Sequence, residues 1–423
     1  MKKIIKKHYH WTIALVMLLQ MGIYVGLMNN DSLFILPVSE ELGISRSAFS
    51  LTFSLRNFVG FLMLMISGPL VKRFGYRKMV ILALPLAGLG YYTFSRSHEL
   101  ITLYIGAILL GISEGFCGSS SVNRVINDWF HRHRGVVVGA VSAASGLGGS
   151  LCCTALSAAM EKGSWRSSYL LSMALMAVLL LLNICAVRDE PKKMGLEPYG
   201  EGELLKKAKS EGLPLRLFQG YSFRDLLRRP IFYLAILVML VTYVSVYLPN
   251  SAIVAHMRDR GLSEVQAVQM QSMRLLLLTV SKVLCGFLMD VIGARWVTLL
   301  CVACGAASMW LLPLITDTNL AIIAIILYSC ALPITTITIP LLTMDMFGYH
   351  SYIIAVGVFS SLVNAGNMLA GPIVNIVFDK LGSYSPAFRV GAIVMLLMIG
   401  AYLILYYLAK QERNMWNKQF GNI

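Results

Sequence analysis

Twelve runs of mainly apolar residues, 18 to 28 residues long, constrain the fold of this chain more than any other feature. Each run can cross a hydrocarbon core of about 30 Å as an α-helix. Transmembrane barrel strands are about ten residues long and alternate in polarity, so these runs exclude a barrel. The sequence predicts an all-α membrane protein with twelve transmembrane helices. The runs cover residues 11–38, 47–71, 79–96, 100–127, 135–160, 167–187, 231–256, 264–289, 296–315, 319–345, 351–378 and 386–408.

The distribution of positive charge predicts the orientation of the chain in the membrane. Of the 36 Lys and Arg residues, 24 fall in the termini and in loops on the same side, and eight fall in loops on the other side. This is the positive-inside pattern, so we expect a multi-pass protein of the cell (inner) membrane with both termini cytoplasmic. The net charge of +15 therefore reflects contact with the bilayer, and we expect no nucleic-acid partner.

A long polar stretch divides the chain near its middle. Residues 188–230 contain ten Lys or Arg and seven acidic residues. We interpret this stretch as a cytoplasmic linker, with a helical part around residues 204–209. It separates an N-terminal six-helix bundle (1–187) from a C-terminal six-helix bundle with a short cytoplasmic tail (231–423).

The two halves share an internal register. Equivalent residues recur at an offset of 218 or 219 in four consecutive helices of each half. This pattern predicts a parallel repeat, in which two pseudo-symmetric bundles face each other about an axis normal to the membrane. We expect the substrate to bind between them near the bilayer midplane. The matched pairs are Gly68 and Gly286, Gly75 and Gly293, Arg77 and Arg295, Gly139 and Gly357, Gly148 and Gly366, and Gly163 and Gly382.

Two loops of the repeat carry a recognisable motif. The sequences GPLVKRFGYRK, beginning at Gly68, and GFLMDVIGARW, beginning at Gly286, resemble the G-x-L-x-D-x-x-G-x-R loops of the major facilitator superfamily. The resemblance extends over nearly the whole chain and implies the major facilitator fold. In the first copy, Lys72 stands where the motif has Asp. The residues that the resemblance assigns to conformational gating are Gly68, Gly75, Arg77, Gly286, Asp290, Gly293 and Arg295.

Three further stretches are similar to the monocarboxylate and oxalate/formate branch of that superfamily. They are LPVSEELGISRSAFSLTFSL (36–55), NDWFHRHRGVVVGAVSAASGLGG (127–149) and GPIVNIVFDKLGSYSPAF (371–388). This resemblance implies a secondary transporter of small organic anions, either monocarboxylates or short dicarboxylates such as oxalate. The implied mechanism is alternating access, coupled to a proton (symport) or to a counter-anion (antiport).

Lys282 is the leading candidate for contact with the substrate. The branch places an Arg four residues before the motif glycine to bind the substrate carboxylate, and Lys282 occupies that position here. It lies eight residues from Asp290, which is about 12 Å along a helix and therefore near the midplane. The alternative is a structural ion pair, for example with Glu114.

Other polar residues inside the runs are weaker candidates. Arg56 and Arg274 are related by the offset of 218, and they either form an electropositive outer vestibule or extend to outer water. Glu114 is a candidate for proton coupling, with pairing to Arg124 or Lys282 as the alternative. Asn364, Asn367 and Tyr243 either line the path or form interhelical hydrogen bonds.

Alternative functions receive less support. We find no clustered nucleophile and base, no cofactor motif and no metal-ligand spacing among the eight Cys, so we expect no enzyme activity and no cofactor. Efflux of drugs or other amphipathic solutes remains an alternative, although Ser145–Gly149 lacks the Pro of the drug antiporter signature. A non-transporting membrane sensor is a further alternative. We expect the transporter to act as a monomer.

Overall fold

The computed structural model describes residues 9–130, 134–189, 191–194, 196–199, 223–336, 343 and 352–420. Within them, twelve helical segments are long and apolar enough to cross a membrane, and each coincides with a predicted run. The predicted all-α fold with twelve spans is therefore confirmed. The predicted helical part of the linker, residues 204–209, lies outside the described residues, as do residues 337–342, 344 and 345 of the tenth run.

The bounds of the spans follow the apolar runs closely. Spans 1 to 6 are Tyr9–Leu33, Arg46–Phe74, Tyr76–Ser95, Leu100–Trp129, Val136–Lys162 and Trp165–Ala186. Spans 7 to 12 are Pro230–Asp259, Glu264–Met289, Ala294–Leu314, Thr318–Thr335, Gly357–Leu381 and Ser385–Asn414. The helices of spans 5, 8, 11 and 12 extend further, as Arg134–Lys162, Glu264–Ile292, Tyr352–Leu381 and Ser385–Phe420.

Span 1 is not one continuous helix, in contrast to the unbroken run 11–38. A π-helical turn at Met21–Val25 follows the first helix, and the helix ends at Met28. A 3₁₀ turn, Asp31–Leu33, then leads into a separate helix, Ile35–Leu42. The side chain of Asn30 donates hydrogen bonds to two backbone carbonyls, Gly26 O at 2.8 Å and Gly149 O at 2.9 Å. The break is therefore stabilised by a side chain that hydrogen-bonds to buried backbone carbonyls.

Span 4 is also broken. The helix Leu100–Cys117 ends at Gly118, whose ψ of 179° is extended, and a second helix, Ser119–Trp129, begins there. The side chain of Gln20 donates to the released carbonyl of Cys117 at 3.1 Å. As in span 1, a buried amide side chain donates a hydrogen bond to a backbone carbonyl that has no partner within its own helix because of the break.

The chain divides into two compact units. The first lies within Met1–Leu213 and adds the segment Gln271–Thr279 of span 8, and the second comprises Pro214–Met270 and Val280–Ile423. Glycines permit the closest helix approaches in the first unit. A Cβ at Gly148 on span 5 would lie 2.2 Å from the carbonyl oxygen of Gly22 on span 1. A Cβ at Gly146 would lie 2.6 Å from the carbonyl oxygen of Leu275.

The internal repeat is visible in the backbone. Gly75 and Gly293, which immediately precede spans 3 and 9, have φ angles of 88° and 86°. Gly43 and Gly261 precede spans 2 and 8 with φ angles of 61° and 90°, and they too are 218 residues apart. These backbone conformations favour glycine, because a side chain is strained at positive φ. The equivalent loops of the two halves therefore make the same kind of turn.

A polar cluster in the first unit joins the helix Ile35–Leu42 to span 6. Trp165 Nε1 donates to Glu41 Oε2 at 2.6 Å, and Arg166 forms an ion pair with the same carboxylate. The hydrogen bond from Arg166 holds the pKa of Glu41 below its ordinary value. Arg166 also donates to Ser97 O at 3.0 Å, which ties the end of span 3 to the cluster.

Replacing Gly148 by alanine should lower the melting temperature of the protein in detergent. The added methyl group meets the backbone of Gly22, and overpacking of this kind costs roughly 1–3 kcal/mol. Gly139 lies on the same span and has open space around the Cβ position, so Gly139→Ala is the matched control. We expect the control to unfold at or slightly above the wild-type temperature, because Ala is the better helix former. Equal melting temperatures for both variants would contradict the close approach of spans 1 and 5.

Candidate functional site

Arg56 is buried in span 2, with 4% of its surface exposed. Its guanidinium forms a two-pronged ion pair with Asp31, with Nη1 2.9 Å from Oδ1 and Nη2 2.6 Å from Oδ2. The break in span 1 places Asp31 at the start of the 3₁₀ turn, where its carboxylate meets Arg56. A paired geometry of this kind is the strong form of a charge-assisted hydrogen bond. Arg56 therefore does not extend to outer water.

Glu114 brings a second carboxylate to the same place. It lies on span 4, and its charge interacts with those of Arg56 and Asp31. The Oε2 atom is buried and has no hydrogen-bond partner among the described residues. We call Asp31, Arg56 and Glu114 the charge cluster. It combines one cation with two acidic side chains, and one acidic oxygen has no donor.

Two buried tyrosines flank the charge cluster. Tyr24 on span 1 shares a hydrogen bond of 2.6 Å with Ser113, the neighbour of Glu114 on span 4. Tyr91 on span 3 places its hydroxyl 3.9 Å from the sulfur of Met28. Spans 1 to 4 thus all contribute polar side chains to the interior of the first unit.

Arg274 is held by a different kind of partner. It is 1% exposed, and its Nε donates to Gln271 Oε1 at 2.9 Å. Its Nη2 donates to the carbonyl oxygen of Asn29 at 3.3 Å, and Gln271 donates to that same carbonyl at 3.0 Å. The consecutive residues Asn29, Asn30 and Asp31 therefore engage both arginines that the repeat relates, Arg56 through a carboxylate and Arg274 through a carbonyl.

Lys282 lies in the second unit on the same helix as Arg274. It is partly buried, in a span in which Ser281 donates to Cys330 Sγ at 3.8 Å. One turn further, Cys285 Sγ lies 3.9 Å from Cys301 Sγ. The turn of span 8 that carries Lys282 thus packs against spans 9 and 10 through small polar and sulfur groups. Asp290, from which the depth of Lys282 in the membrane is counted, lies in the same helix. Its side chain lies outside the part of the chain that the structure describes.

The remaining predicted binding residues occupy span 7 and span 11. Tyr243 is 1% exposed, and a Cβ at Gly366 would lie 2.7 Å from its Cβ, so Tyr243 lies where spans 7 and 11 pack closely. Asn364 and Asn367 are partly exposed on span 11. Their roles stay predictions. Asn375 lies one turn after Gly371, and its side chain donates a hydrogen bond to the Gly371 carbonyl. Its Oδ1 atom accepts a hydrogen bond from the hydroxyl of Tyr384, so Asn375 links span 11 to the start of span 12.

The first motif loop uses an acid that the motif does not contain. Asp189, after span 6, accepts a hydrogen bond from the backbone N–H of Arg77 at 2.8 Å, and the Arg77 guanidinium donates to Ile184 O at 2.7 Å. These bonds join the end of span 6 to the start of span 3. Asp189 is not among the residues predicted from the sequence, because no motif or spacing marks it.

A cavity of about 270 Å³ adjoins this loop. Lys72, in the place of the motif Asp, lines it together with Arg124, Asp128 and Asp189. Gly68 and Gly75 border the same cavity.

In the second motif loop, the described groups include Gly286, Gly293 and Arg295. The guanidinium of Arg295 lies 5.3 Å from the ring centre of Trp296 and 5.6 Å from that of Tyr406. Gly286 has open space around its Cβ position. The part of the chain that the structure describes contains no group of three or more His, Cys, Asp or Glu residues arranged to hold a metal ion.

Comparison with known proteins identifies relatives over most of the chain. The family model described as the Major Facilitator Superfamily matches residues 16–352 and, separately, residues 235–422. A hexuronate transporter of Bacillus subtilis (strain 168) is 25% identical over 181 residues, which are 42% of this chain and 40% of that protein. The probable sulfoacetate transporter SauU of Cupriavidus necator is 24% identical over 399 residues, 87% of each chain.

Solved structures of similar fold include two transporters. A D-xylose–proton symporter matches with a TM-score of 0.72 at 14% identity and covers 94% of this chain and 97% of that chain. The nucleoside transporter NupG matches with a TM-score of 0.68 at 12% identity and covers 96% and 98%. At these identities the likeness concerns the fold alone.

Replacing Asp31 by asparagine should destabilise the protein strongly. Breaking a buried ion pair costs about 3–5 kcal/mol because a charge remains without its partner. The cost should fall toward the lower end here, because the Asp31 side chain keeps 24% of its surface exposed. Thermal unfolding in detergent measures the effect, and Glu99→Gln, at an exposed site, is the control. A melting temperature equal to that of the control would show that the pair contributes no stability.

Proposed function

Because the chain belongs to the Major Facilitator Superfamily and is therefore a multi-pass membrane transporter, we propose that its substrates are small organic anions. The main observation in support is the position of Lys282, a partly buried ammonium in the middle part of span 8. The names of the relatives support this class, since hexuronate and sulfoacetate are both organic anions. We propose monocarboxylates and short dicarboxylates such as oxalate as the first compounds to test.

Lys282 is our candidate for the substrate carboxylate because it stands four residues before Gly286, where the resembling branch places its carboxylate-binding Arg. In the first unit, Arg56 binds Asp31, and Arg274 is buried against Gln271 and Asn29. A charge near the bilayer centre costs roughly 2.5–3.5 kcal/mol on insertion scales, so such a residue requires a function or a stabilising partner. An ammonium attracts a carboxylate as a point charge and does not impose the fork geometry of a guanidinium.

The transport cycle that we propose is alternating access. Binding of the anion at Lys282 precedes the conformational change, and Asn364 and Asn367 supply hydrogen bonds near the substrate. Arg56, Arg274 and Tyr243 act through the packing described above. The motif loops, with Gly68, Gly75, Arg77, Gly286, Asp290, Gly293 and Arg295, control the change of state. The protein would reside in the cell membrane with both termini in the cytoplasm, as its loop charges predict.

We propose that Glu114 carries the coupled proton. Its Oε2 atom is buried without a donor, and it shares the single guanidinium of the charge cluster with Asp31. Two carboxylates beside one cation cannot both be neutralised by it. Uptake of one proton by the cluster therefore balances its charge.

Replacing Lys282 by glutamine should abolish carboxylate exchange. Counterflow in proteoliposomes with labelled formate, acetate, lactate and oxalate measures the activity, and we expect at least a tenfold loss because the anion loses its counter-charge. Lys162→Gln removes an exposed Lys and is the matched control. Unchanged exchange by the Lys282 variant would remove this residue from the mechanism. Transport of amphipathic dyes without transport of any anion would instead support efflux.

Replacing Glu114 by glutamine should uncouple transport from protons. We expect the variant to retain counterflow exchange but to lose uphill uptake driven by a pH gradient, because the amide takes up no proton. Uptake in proteoliposomes with an inward or outward pH gradient distinguishes the two activities. If gradient-driven uptake survives, the coupled proton binds elsewhere or the cycle is an anion exchange.

A further inference from the structure

Spans 2 and 4 approach each other most closely around the charge cluster. A Cβ at Gly111 would lie 2.6 Å from the carbonyl oxygen of Arg56, and a Cβ at Gly115 would lie 2.6 Å from the Cβ of Met63. Glycines at i and i+4 on one helix permit this kind of backbone contact. Glu114 lies between these two glycines in the sequence, so its side chain leaves span 4 where the two helices are nearly in backbone contact.

Gly60 provides the space that the Glu114 carboxyl group occupies. It lies on span 2, one helical turn after Arg56. A Cβ at Gly60 would lie 2.6 Å from Glu114 Oε2 and 3.0 Å from Glu114 Cδ. Both distances are far below van der Waals contact. The carboxyl group can hold its observed position only because residue 60 has no side chain.

The groups that face Glu114 come from three other spans. Span 2 contributes Arg56, span 1 contributes Asp31 and Tyr24, and span 3 contributes Tyr91, which interacts with both Arg56 and Glu114. The Tyr24 hydroxyl is already engaged by Ser113. Glu114 Oε2 therefore rests against the bare backbone of span 2 and receives no hydrogen bond there.

We propose that Gly60 is a positioning residue that sets the pH at which Glu114 takes up its proton. By holding the carboxyl group against a backbone surface without a donor, Gly60 keeps it where the charged form is poorly stabilised. The inference rests on the proposed role of Glu114 in proton coupling, and it adds a residue that does not touch the substrate.

The substitutions Gly60→Ser and Gly60→Ala test this role. Both substitutions add a Cβ that displaces the carboxyl group from its dry position. The serine also brings a hydroxyl that would donate a hydrogen bond to the displaced carboxylate and stabilise its charged form. Gly88→Ala is the matched control, because a Cβ at Gly88 on span 3 makes only ordinary contacts, 3.8 Å from Met176.

The readout is an infrared titration of the protein in proteoliposomes, which needs no substrate. The carboxyl band that is absent from Glu114→Gln belongs to Glu114, and its intensity is followed against pH. We expect the midpoint for Gly60→Ser to move down by about one to two pH units, a tenfold to hundredfold change in proton concentration. We expect a smaller downward shift for Gly60→Ala and none for Gly88→Ala. An unchanged or raised midpoint in both Gly60 variants would overturn the proposal.

A second measurement covers the case in which Gly60→Ala does not fold. Glu114→Asp shortens the acidic side chain by one methylene group and vacates the space, so the double variant Gly60→Ala/Glu114→Asp should recover the folded yield. Failure to recover would show that Glu114 is not what Gly60 accommodates.

The titration also separates this inference from the proposed function. If Glu114→Gln keeps gradient-driven uptake, Glu114 is not the coupling residue, whatever the Gly60 variants show. If Glu114→Gln loses that uptake while the Gly60 midpoints match the wild type, only the positioning role fails.

Discussion

The ion pair between Arg56 and Asp31 joins the irregular segment of span 1 to span 2 in the interior of the first unit. A guanidinium buried in span 2 requires a carboxylate beside it, because an unpaired charge in a low-dielectric interior is far costlier than one in water. Asp31 can meet Arg56 because the α-helix of span 1 ends at Met28 and is followed by the 3₁₀ turn Asp31–Leu33, before the separate helix Ile35–Leu42 begins. The break is costly in backbone hydrogen bonds, and Asn30 recovers part of that cost by binding two carbonyls.

The same break connects the arginine pair to the second half of the sequence. Arg274 is the repeat equivalent of Arg56, yet the segment Gln271–Thr279 that carries it packs within the first unit. There it binds the Asn29 carbonyl that the end of the helix leaves available. One short stretch of irregular backbone thus organises two buried cations. Irregular backbone inside a membrane protein is tolerated where protein groups satisfy it, and Arg274 and Gln271 do so here by binding the carbonyl of Asn29.

Much of the architecture could be predicted from the sequence because it depends on length and polarity alone. Twelve apolar runs are sufficient to predict twelve spans, and the offset of 218 in the sequence relates Arg56 to Arg274. The partners of these arginines could not be predicted, because the side chains that meet depend on which helices approach and at what height. Span 1 contains no proline at its break, and its one sequence signal is the polar triplet Asn29–Asp31, which does not by itself distinguish a break from a helix end.

Other features were within reach of the same reasoning. Ser45 and Ser263, which cap spans 2 and 8, are separated by the same 218 residues as the arginines. Asp189 was not predictable, since no motif places an acid after span 6 to bind the backbone of Arg77. The space that Glu114 occupies was also not predictable from the sequence. It is formed by Gly60 on span 2 and by Gly111 and Gly115 on span 4, and these glycines come together only because the two helices pack against each other.

The paired turns at positive φ limit how far the two halves can diverge from each other. At Gly75 and Gly293, and at Gly43 and Gly261, any residue with a Cβ would strain the backbone regardless of the room around it. An acidic side chain can be supplied from another part of the chain. In the first motif loop, Lys72 stands where the motif has Asp, and Asp189 lies beside the same loop and binds the backbone of Arg77. A backbone angle cannot be supplied from elsewhere. These four glycines are therefore the positions at which an ancient duplication would leave its most durable trace, whatever solute each descendant came to carry.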